Sequence, residues 1–180
     1  MKVILAAVNA KYIHSNLAVF SLRAYAVQHG QEAEIAEYTI NHQPEHILMD
    51  LYKRKPDVLA FSCYIWNFEM ILELAEEFSL LCPETDIWLG GPEVSWHAKK
   101  LLERHPFLRG IMRGEGEETF LELLEYYRGK RQTLEEIRGL TFRQAMLDRS
   151  LPSMELQHQT DEMQMVRQPE SQKSVSGQEE

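Results

Sequence analysis

The stretch Ile87-Trp88-Leu89-Gly90-Gly91-Pro92-Glu93-Val94-Ser95 decides the fold of this chain. Large apolar residues run straight into two glycines, then a proline, then a polar residue that opens a helical pattern. An apolar run of this length reads as a buried strand, and glycines at its end leave the turn backbone bare. Something large and flat, or a phosphate, can approach such a turn. The chain repeats this strand, loop, helix grammar on either side, which makes the row of loops at the strand carboxyl ends its expected working edge.

Towards the amino terminus, Val58–Ser62 is a compact apolar strand followed by the loop Cys63-Tyr64-Ile65-Trp66-Asn67. Asn67 suits a helix N-cap, and Met70, Ile71, Leu74, Ala75, Phe78 and Leu81 form one apolar stripe behind it, stopped by Cys82-Pro83. Val3–Val8 is an unbroken apolar run, as expected of a strand covered on both faces. Asn9-Ala10-Lys11-Tyr12-Ile13-His14-Ser15-Asn16 follows as a polar, aromatic loop. Ser15 or Asn16 can cap the next helix, whose Leu17, Phe20, Ala24 and Val27 recur at helical spacing until Gly30. Ala33–Ile40 alternates more and suits a position nearer an edge; Pro44 opens a short helix with Ile47, Leu48 and Leu51 inward. Towards the carboxyl terminus, Val94, Ala98, Leu101 and Leu102 give the next helix its buried side. Leu108–Met112 reads as a fifth strand, ending at Arg113-Gly114-Glu115-Gly116-Glu117-Glu118, and Phe120, Leu121, Leu124 and Tyr127 mark the last helix.

Five such units predict an α/β, flavodoxin-like three-layer sandwich with a five-stranded parallel sheet of order 2-1-3-4-5 and all strand-end loops on one rim. Residues 1–144 form the expected domain, with Gly139–Arg143 a candidate terminal strand. Residues 145–180 hold six glutamines, few aliphatics and seven acidic against three basic residues. Too little apolar surface is present there to offset ordering entropy, so a disordered or aberrant tail is expected. The abrupt change has the look of a truncated or frame-disturbed end.

The formal net charge of -9 and the lack of a basic, aromatic-laced stripe argue against nucleic acid. The apolar amino terminus is too short for a transmembrane span and lacks a convincing cleavage site, so no membrane partner is expected. The two cysteines, Cys63 and Cys82, have no paired-ligand spacing and suit reduced thiols in the cytoplasm.

Several chemistries are marked down. No Gly-x-x-x-x-Gly-Lys-Ser/Thr phosphate loop is present, and the loop after the first strand has no glycine for a dinucleotide fingerprint. A phosphorylatable receiver needs an aspartate at the end of the third strand, where Ser62 and Cys63 stand; Asp57 begins that strand and faces the other rim. His14 reads as a surface or capping histidine, with metal ligation weakened by the lack of a neighbouring His or Cys. Tyr12, Tyr64 and Trp66 are candidates for aromatic walls or for plain cover of the sheet end. Cys63 reads as a buried small hydrophobe without a catalytic partner. Gly90-Gly91 admits a ligand close to backbone, Ser62 offers a hydrogen bond from the adjoining strand end, and Arg113 with Gly114 and Gly116 offers amides and one charge. Glu93, Glu115, Glu117 and Glu118 make the rim too acidic for a naked polyphosphate, and suit either a ligand with amide or ribose donors or simple helix-start capping.

Together, the Asn9–Asn16 loop, Phe61-Ser62, Gly90-Gly91-Pro92-Glu93-Val94-Ser95 and Arg113-Gly114-Glu115-Gly116-Glu117 resemble the amino-terminal cobalamin-binding domain of radical S-adenosylmethionine proteins, over about residues 1–144. The resemblance implies a seat for cobalamin at the strand carboxyl ends, with the nucleotide tail beside Ser62 and Gly90-Gly91. The cofactor-binding residues it points to are Asn9, Ala10, Tyr12, Ser15, Ser62, Cys63, Tyr64, Asn67, Gly90, Gly91, Pro92, Glu93, Arg113, Gly114, Glu115 and Gly116. No catalytic or metal-ligating residue is assigned. In the family's Asp-x-His-x-x-Gly motif, alignment on His14 puts Tyr12 in place of Asp and Leu17 in place of Gly, which makes His14 a poor lower ligand for cobalt and leaves it without its usual carboxylate orienter. The radical domain that the resemblance implies downstream would carry Cys-x-x-x-Cys-x-x-Cys for a [4Fe-4S] cluster and S-adenosylmethionine; no cysteine follows Cys82 here. This fragment is accordingly expected to bind cofactor rather than to catalyse, with methyl transfer belonging to full-length relatives. A cofactor-free interaction or scaffold domain, and a nucleotide- or flavin-binding domain, are the rival readings.

Overall fold

Apolar strands without alternation must be covered from both sides, and the computed structural model, which describes residues 1–10 and 15–143, shows how. In chain order the elements are β1 (Val3–Asn9), α1 (Leu17–Gln28), β2 (Glu34–Thr39), α2 (Pro44–Arg54), β3 (Val58–Ser62), α3 (Phe68–Leu81), β4 (Asp86–Gly90), α4 (Pro92–Ser95), α5 (Ala98–Arg104), β5 (Gly110–Met112), α6 (Glu117–Tyr127) and β6 (Leu140–Phe142). They form one sheet of order β2-β1-β3-β4-β5-β6. The first five strands run parallel, as expected of a flavodoxin-like fold. The expected five-stranded sheet gains a sixth member, because residues 140–142 pair antiparallel with β5. After α6 the chain returns along the sheet with Leu134 and Ile137 buried, and turns at Gly139 (φ +82°), where the Thr119 hydroxyl donates to the carbonyl of Arg138 at 2.9 Å. The strand thus starts at the rim where β5 ends, which fixes its direction.

Alternate side chains divide the core in two. Ile4, Ala6, Val8, Leu59, Phe61, Ile87, Leu89 and Ile111 pack under α2, α3 and α5; Val3, Leu5, Ala7, Ala60, Trp88 and Met112 face α1 and α6. On the second face Trp88 lies over Gly110. Its indole N–H donates to the Tyr127 hydroxyl at 2.8 Å, which in turn donates to Asp86 at 2.6 Å. Burial, then the Asp86 charge, pushes the Tyr127 hydroxyl pKa far up, so it stays protonated as that donor.

The helix faces correct three expectations. In α1 the stripe Leu17, Phe20, Ala24 and Val27 faces outward, Leu17 being 80% exposed, while Val19 and Ala26 are buried and Leu22 half-buried. The helix is apolar on both sides, so spacing alone cannot choose its inner face. Leu81, the last residue of α3, is exposed, because the stripe outlasts the sheet it covers. The helix after β4 is two helices, broken at Trp96-His97, with Val94, Ala98 and Leu102 buried from either side of the break.

A methyl group on Gly110 would lie 2.3 Å from the Trp88 ring. Gly110→Ala is expected to lower folding stability by about 1–3 kcal/mol, since a well-packed core cannot absorb the added carbon. Thermal and urea denaturation against wild type measure this, and an unchanged midpoint would refute the packing described for Trp88.

Candidate functional site

The sheet register sets four residues in a row near the carboxyl ends of the strands. Ala7 pairs with Ser62, Ser62 with Gly90, and Gly90 with Met112. All four share the face beneath α1 and α6. The first three are small, so the sheet drops away from the helices there. The result is a cavity of about 660 Å³ between sheet and helices, open at the rim. Leu5, Ala60 and Met112 line it from the sheet, Val19 and Leu22 from α1, and Tyr64, Trp96 and Arg113 from the loops.

The paired glycines have separate tasks. A methyl group on Gly90 would come no nearer than 3.5 Å to the protein, at Met112 Cε, and the φ of Gly90 is ordinary. The bareness of Gly90 serves the cavity. Gly91 has φ +109°, and a Cβ there would lie 2.4 Å from the carbonyl oxygen of Cys63. Its bareness serves the fold: it lets the loops after β3 and β4 touch, where the N–H of Cys63 donates to the carbonyl of Gly90 at 2.7 Å.

Asn67 ties the same corner from below. Fully buried, it accepts from the Tyr64 N–H at 2.8 Å and donates to the carbonyls of Val8 at 2.8 Å and Ser62 at 3.1 Å. It stands at the N-cap position of α3, yet its side chain makes no capping bond and instead joins the ends of β1 and β3. Cys63 is fully buried in the opposite core, under α3, and burial pushes its thiol pKa far up. The geometry therefore moves Cys63 and Asn67 from ligand contact to support. Asn9 donates to Glu37 at 3.0 Å instead of entering the cavity, and Ser15 is exposed. Tyr12 and His14 lie outside the described residues, as does the expected tail over residues 145–180.

Gly90, Gly91, Pro92, Ser62, Tyr64, Arg113, Gly114, Glu115 and Gly116 do come together around the cavity, although Glu93 does not line it. Tyr64 stacks on Trp66, ring centroids 4.6 Å apart and planes within 8°. Trp96, missed from the sequence, stands 88% exposed on the mouth, released by the break between α4 and α5. Glu117, at the start of α6, accepts from the Ser21 hydroxyl of α1 at 2.6 Å, and that bond holds its carboxyl below the usual range. Glu117 is thus an anion at the mouth at neutral pH. Among the described residues no cluster of His, Cys, Asp or Glu has the grouping to hold a metal ion, and no helix is long and apolar enough to cross a membrane.

Comparison with known proteins places this geometry in a family. The family model described as B12 binding domain matches residues 3–124. The cobalamin-dependent radical SAM methyltransferase TokK of Streptomyces tokunonensis is 40% identical over 70 residues, 39% of this chain and 10% of that protein. The 2-(S-pantetheinyl)-carbapenam-3-carboxylate methyltransferase of Streptantibioticus cattleyicolor is 41% identical over 69 residues, 38% of this chain and 10% of that protein. The matched stretch thus spans about a tenth of the length of each of these relatives. A solved structure of the cobalamin-dependent S-adenosylmethionine radical enzyme OxsB, with aqua-cobalamin and S-adenosylmethionine bound, is similar with a TM-score of 0.65 and 21% identity, over 83% of this chain and 21% of that one. That likeness is one of fold. With the family model covering well over half of its residues, the chain belongs to the B12-binding domain family.

Proposed function

We propose that this chain binds cobalamin, taking the cofactor's nucleotide tail into the cavity beneath α1 and α6 and leaving the corrin at the rim. The observation that carries the reading is the pair Ser62 and Gly90, where the sheet is stripped of bulk under a cavity of about 660 Å³. The residues fit such a group. Gly90 is a cradle that a Cβ would enter without touching anything nearer than 3.5 Å, and the lining from Leu5, Val19, Leu22, Ala60 and Met112 suits a flat, apolar base. Ser62 offers that base one hydrogen-bonding group. Tyr64 and Trp96 flank the mouth, and Arg113 with the backbone of Gly114–Gly116 serves the polar part of the tail. When bound, cobalamin supplies a cobalt centre able to carry a methyl group; this chain's residues orient the cofactor and keep water from its base.

The working context we propose is a protein with a radical S-adenosylmethionine domain, as in the relatives named above. With only two cysteines, one buried in the core, this chain does not itself offer three thiolates for an iron–sulfur cluster. Both cysteines are free thiols, which suits a reducing cytoplasm.

Purified protein mixed with hydroxocobalamin is expected to retain the corrinoid absorbance through desalting, at one equivalent per chain. Loss of all colour under both aerobic and anaerobic conditions would sink the proposal and leave a scaffold role. Gly90→Ala is expected to keep the wild-type melting temperature and weaken cobalamin binding at least about tenfold, because the methyl occupies the cradle. Gly91→Ala should do the opposite first, lowering stability by at least about 2 kcal/mol through strain at positive φ and collision with Cys63. Equal effects of the two alanines on melting would contradict the division of labour.

A further inference from the structure

The turn that ends α1 buries a polar residue in a place that usually takes an apolar one. Gly30, at φ +71°, lets the chain double back; its N–H donates to the carbonyl of Val27 at 3.0 Å, and the N–H of Gln31 donates to that of Ala26 at 2.9 Å. The residue that closes such a turn ordinarily tucks an apolar side chain against the last helical turn. Here it is a glutamine, 1% exposed, and neither its Nε2 nor its Oε1 meets a partner among the described residues. A buried carboxamide left unpaired is costly, and native interiors rarely keep one without a use. Gln31 lines a second cavity, of about 810 Å³, at the amino ends of β1 and β2 and so at the rim opposite the one already described.

The charges that line this cavity are unevenly committed. Lys2 pairs with Glu34 at 3.1 Å, and Glu34 also meets Arg54 at 3.7 Å. Arg128 spends one N–H on the carbonyl of Glu32 at 3.1 Å, and Arg23 makes no ion pair or hydrogen bond among the described residues. Two guanidiniums thus stand against one uncommitted carboxylate, that of Glu32, on a chain whose formal net charge is -9. A planar guanidinium matches a carboxylate in shape as well as charge. Gln31 adds a donor for the same carboxylate and an acceptor beside it, and that acceptor is satisfied by a ligand that brings its own N–H. We infer that this cavity binds a small carboxylate bearing a neighbouring amide N–H, the class of N-acylated α-amino acids. Inorganic phosphate fits worse: it brings no N–H for Oε1, and its second charge meets Glu32. The site is independent of the cobalamin reading, which concerns the other rim.

The full chain, isotope-labelled, is titrated with N-acetylglycine and followed by NMR, and saturable shifts centred on Gly30, Gln31 and Arg128 are expected. N-acetylsarcosine keeps the carboxylate but has no N–H; N-acetylglycine methyl ester keeps the N–H but has no charge. Each should bind at least about tenfold more weakly, as expected for one lost hydrogen bond in a partly buried site. Gln31→Met keeps the length of the side chain and removes both polar atoms. It should bind the two acids alike, and its melting temperature should not fall, because the free protein loses an unpaired buried amide rather than a bond. Arg23→Gln should bind both acids about tenfold more weakly and keep the preference between them. No saturation by N-acetylglycine, or a wild type that binds N-acetylsarcosine or inorganic phosphate as tightly, would overturn the inference. So would a Gln31→Met protein that melts lower than wild type, since the amide would then be serving the fold. Retention of hydroxocobalamin reads the opposite rim, so either reading can fail without the other.

Discussion

The loops after β3 and β4 meet closer than any side chain permits. Gly91 lies where its Cβ would sit 2.4 Å from the carbonyl of Cys63, and the Cys63 N–H continues the ladder to Gly90 one step beyond the strands. From that approach the rest follows. Tyr64 is placed at the mouth because the chain leaves Cys63 in a fixed direction, and Pro92 can open α4 at once because the turn is complete at Gly91. Asn67 reinforces the same corner through the carbonyls of Val8 and Ser62. Three strand ends are thus clamped by one missing side chain and one buried amide, which leaves Ser62 and Gly90 rigid enough to face a ligand.

The two faces of the sheet are built to different ends. Beneath α2, α3 and α5 the side chains Phe61, Leu89 and Ile111 fill the space to the carboxyl ends of their strands. Beneath α1 and α6 bulk is concentrated one level lower, in Leu5 and in Trp88 lying across Gly110, and the level above carries Ala7, Ser62 and Gly90. Protein interiors normally close such a gap by relaxation. Here the Trp88–Tyr127–Asp86 chain fixes the lower layer, and the Ser21–Glu117 bond joins α1 to α6 above it, so the gap stays open. A ligand bound in it would add stability by mass action.

Strand order was legible because β1, β3 and β4 are apolar runs bounded by Gly, Pro or Asn, and the paired glycines marked the strand end at which the cavity opens. What resisted reading had physical causes. The inner face of α1 was ambiguous because Val19, Leu22 and Ala26 share helical spacing just as Leu17, Phe20, Ala24 and Val27 do. Asn67 has the composition of a cap, but one of its partners is the carbonyl of Val8 on β1, 59 residues away, and no local pattern encodes that. Gly90 and Gly91 look alike as letters; only φ and the neighbouring carbonyl separate them. Trp96 sits where a continuous helix was expected, and the break that exposes it has no glycine or internal proline to announce it. Asn16 was visible as a cap, while the bond from its side chain to Ser62 depends on the pairing that brings β3 beside β1.

The charge at the mouth narrows the ligand class further. A helix amino terminus ordinarily attracts phosphate, but α6 begins with Glu117 and Glu118, whose carboxylates already occupy the positive end of its dipole. The Ser21 hydroxyl donates to the Glu117 carboxylate and lowers its pKa, and Glu115 adds a second carboxylate beside the guanidinium of Arg113. A triphosphate entering there would meet more like charge than opposite charge in a partly desolvated cleft. A ligand with one phosphodiester and many amide N–H groups meets the reverse: one cation for its anion, and carboxylates and backbone carbonyls for its donors. The acidic rim is thus matched to a ligand rich in hydrogen-bond donors and poorly matched to a nucleotide polyphosphate.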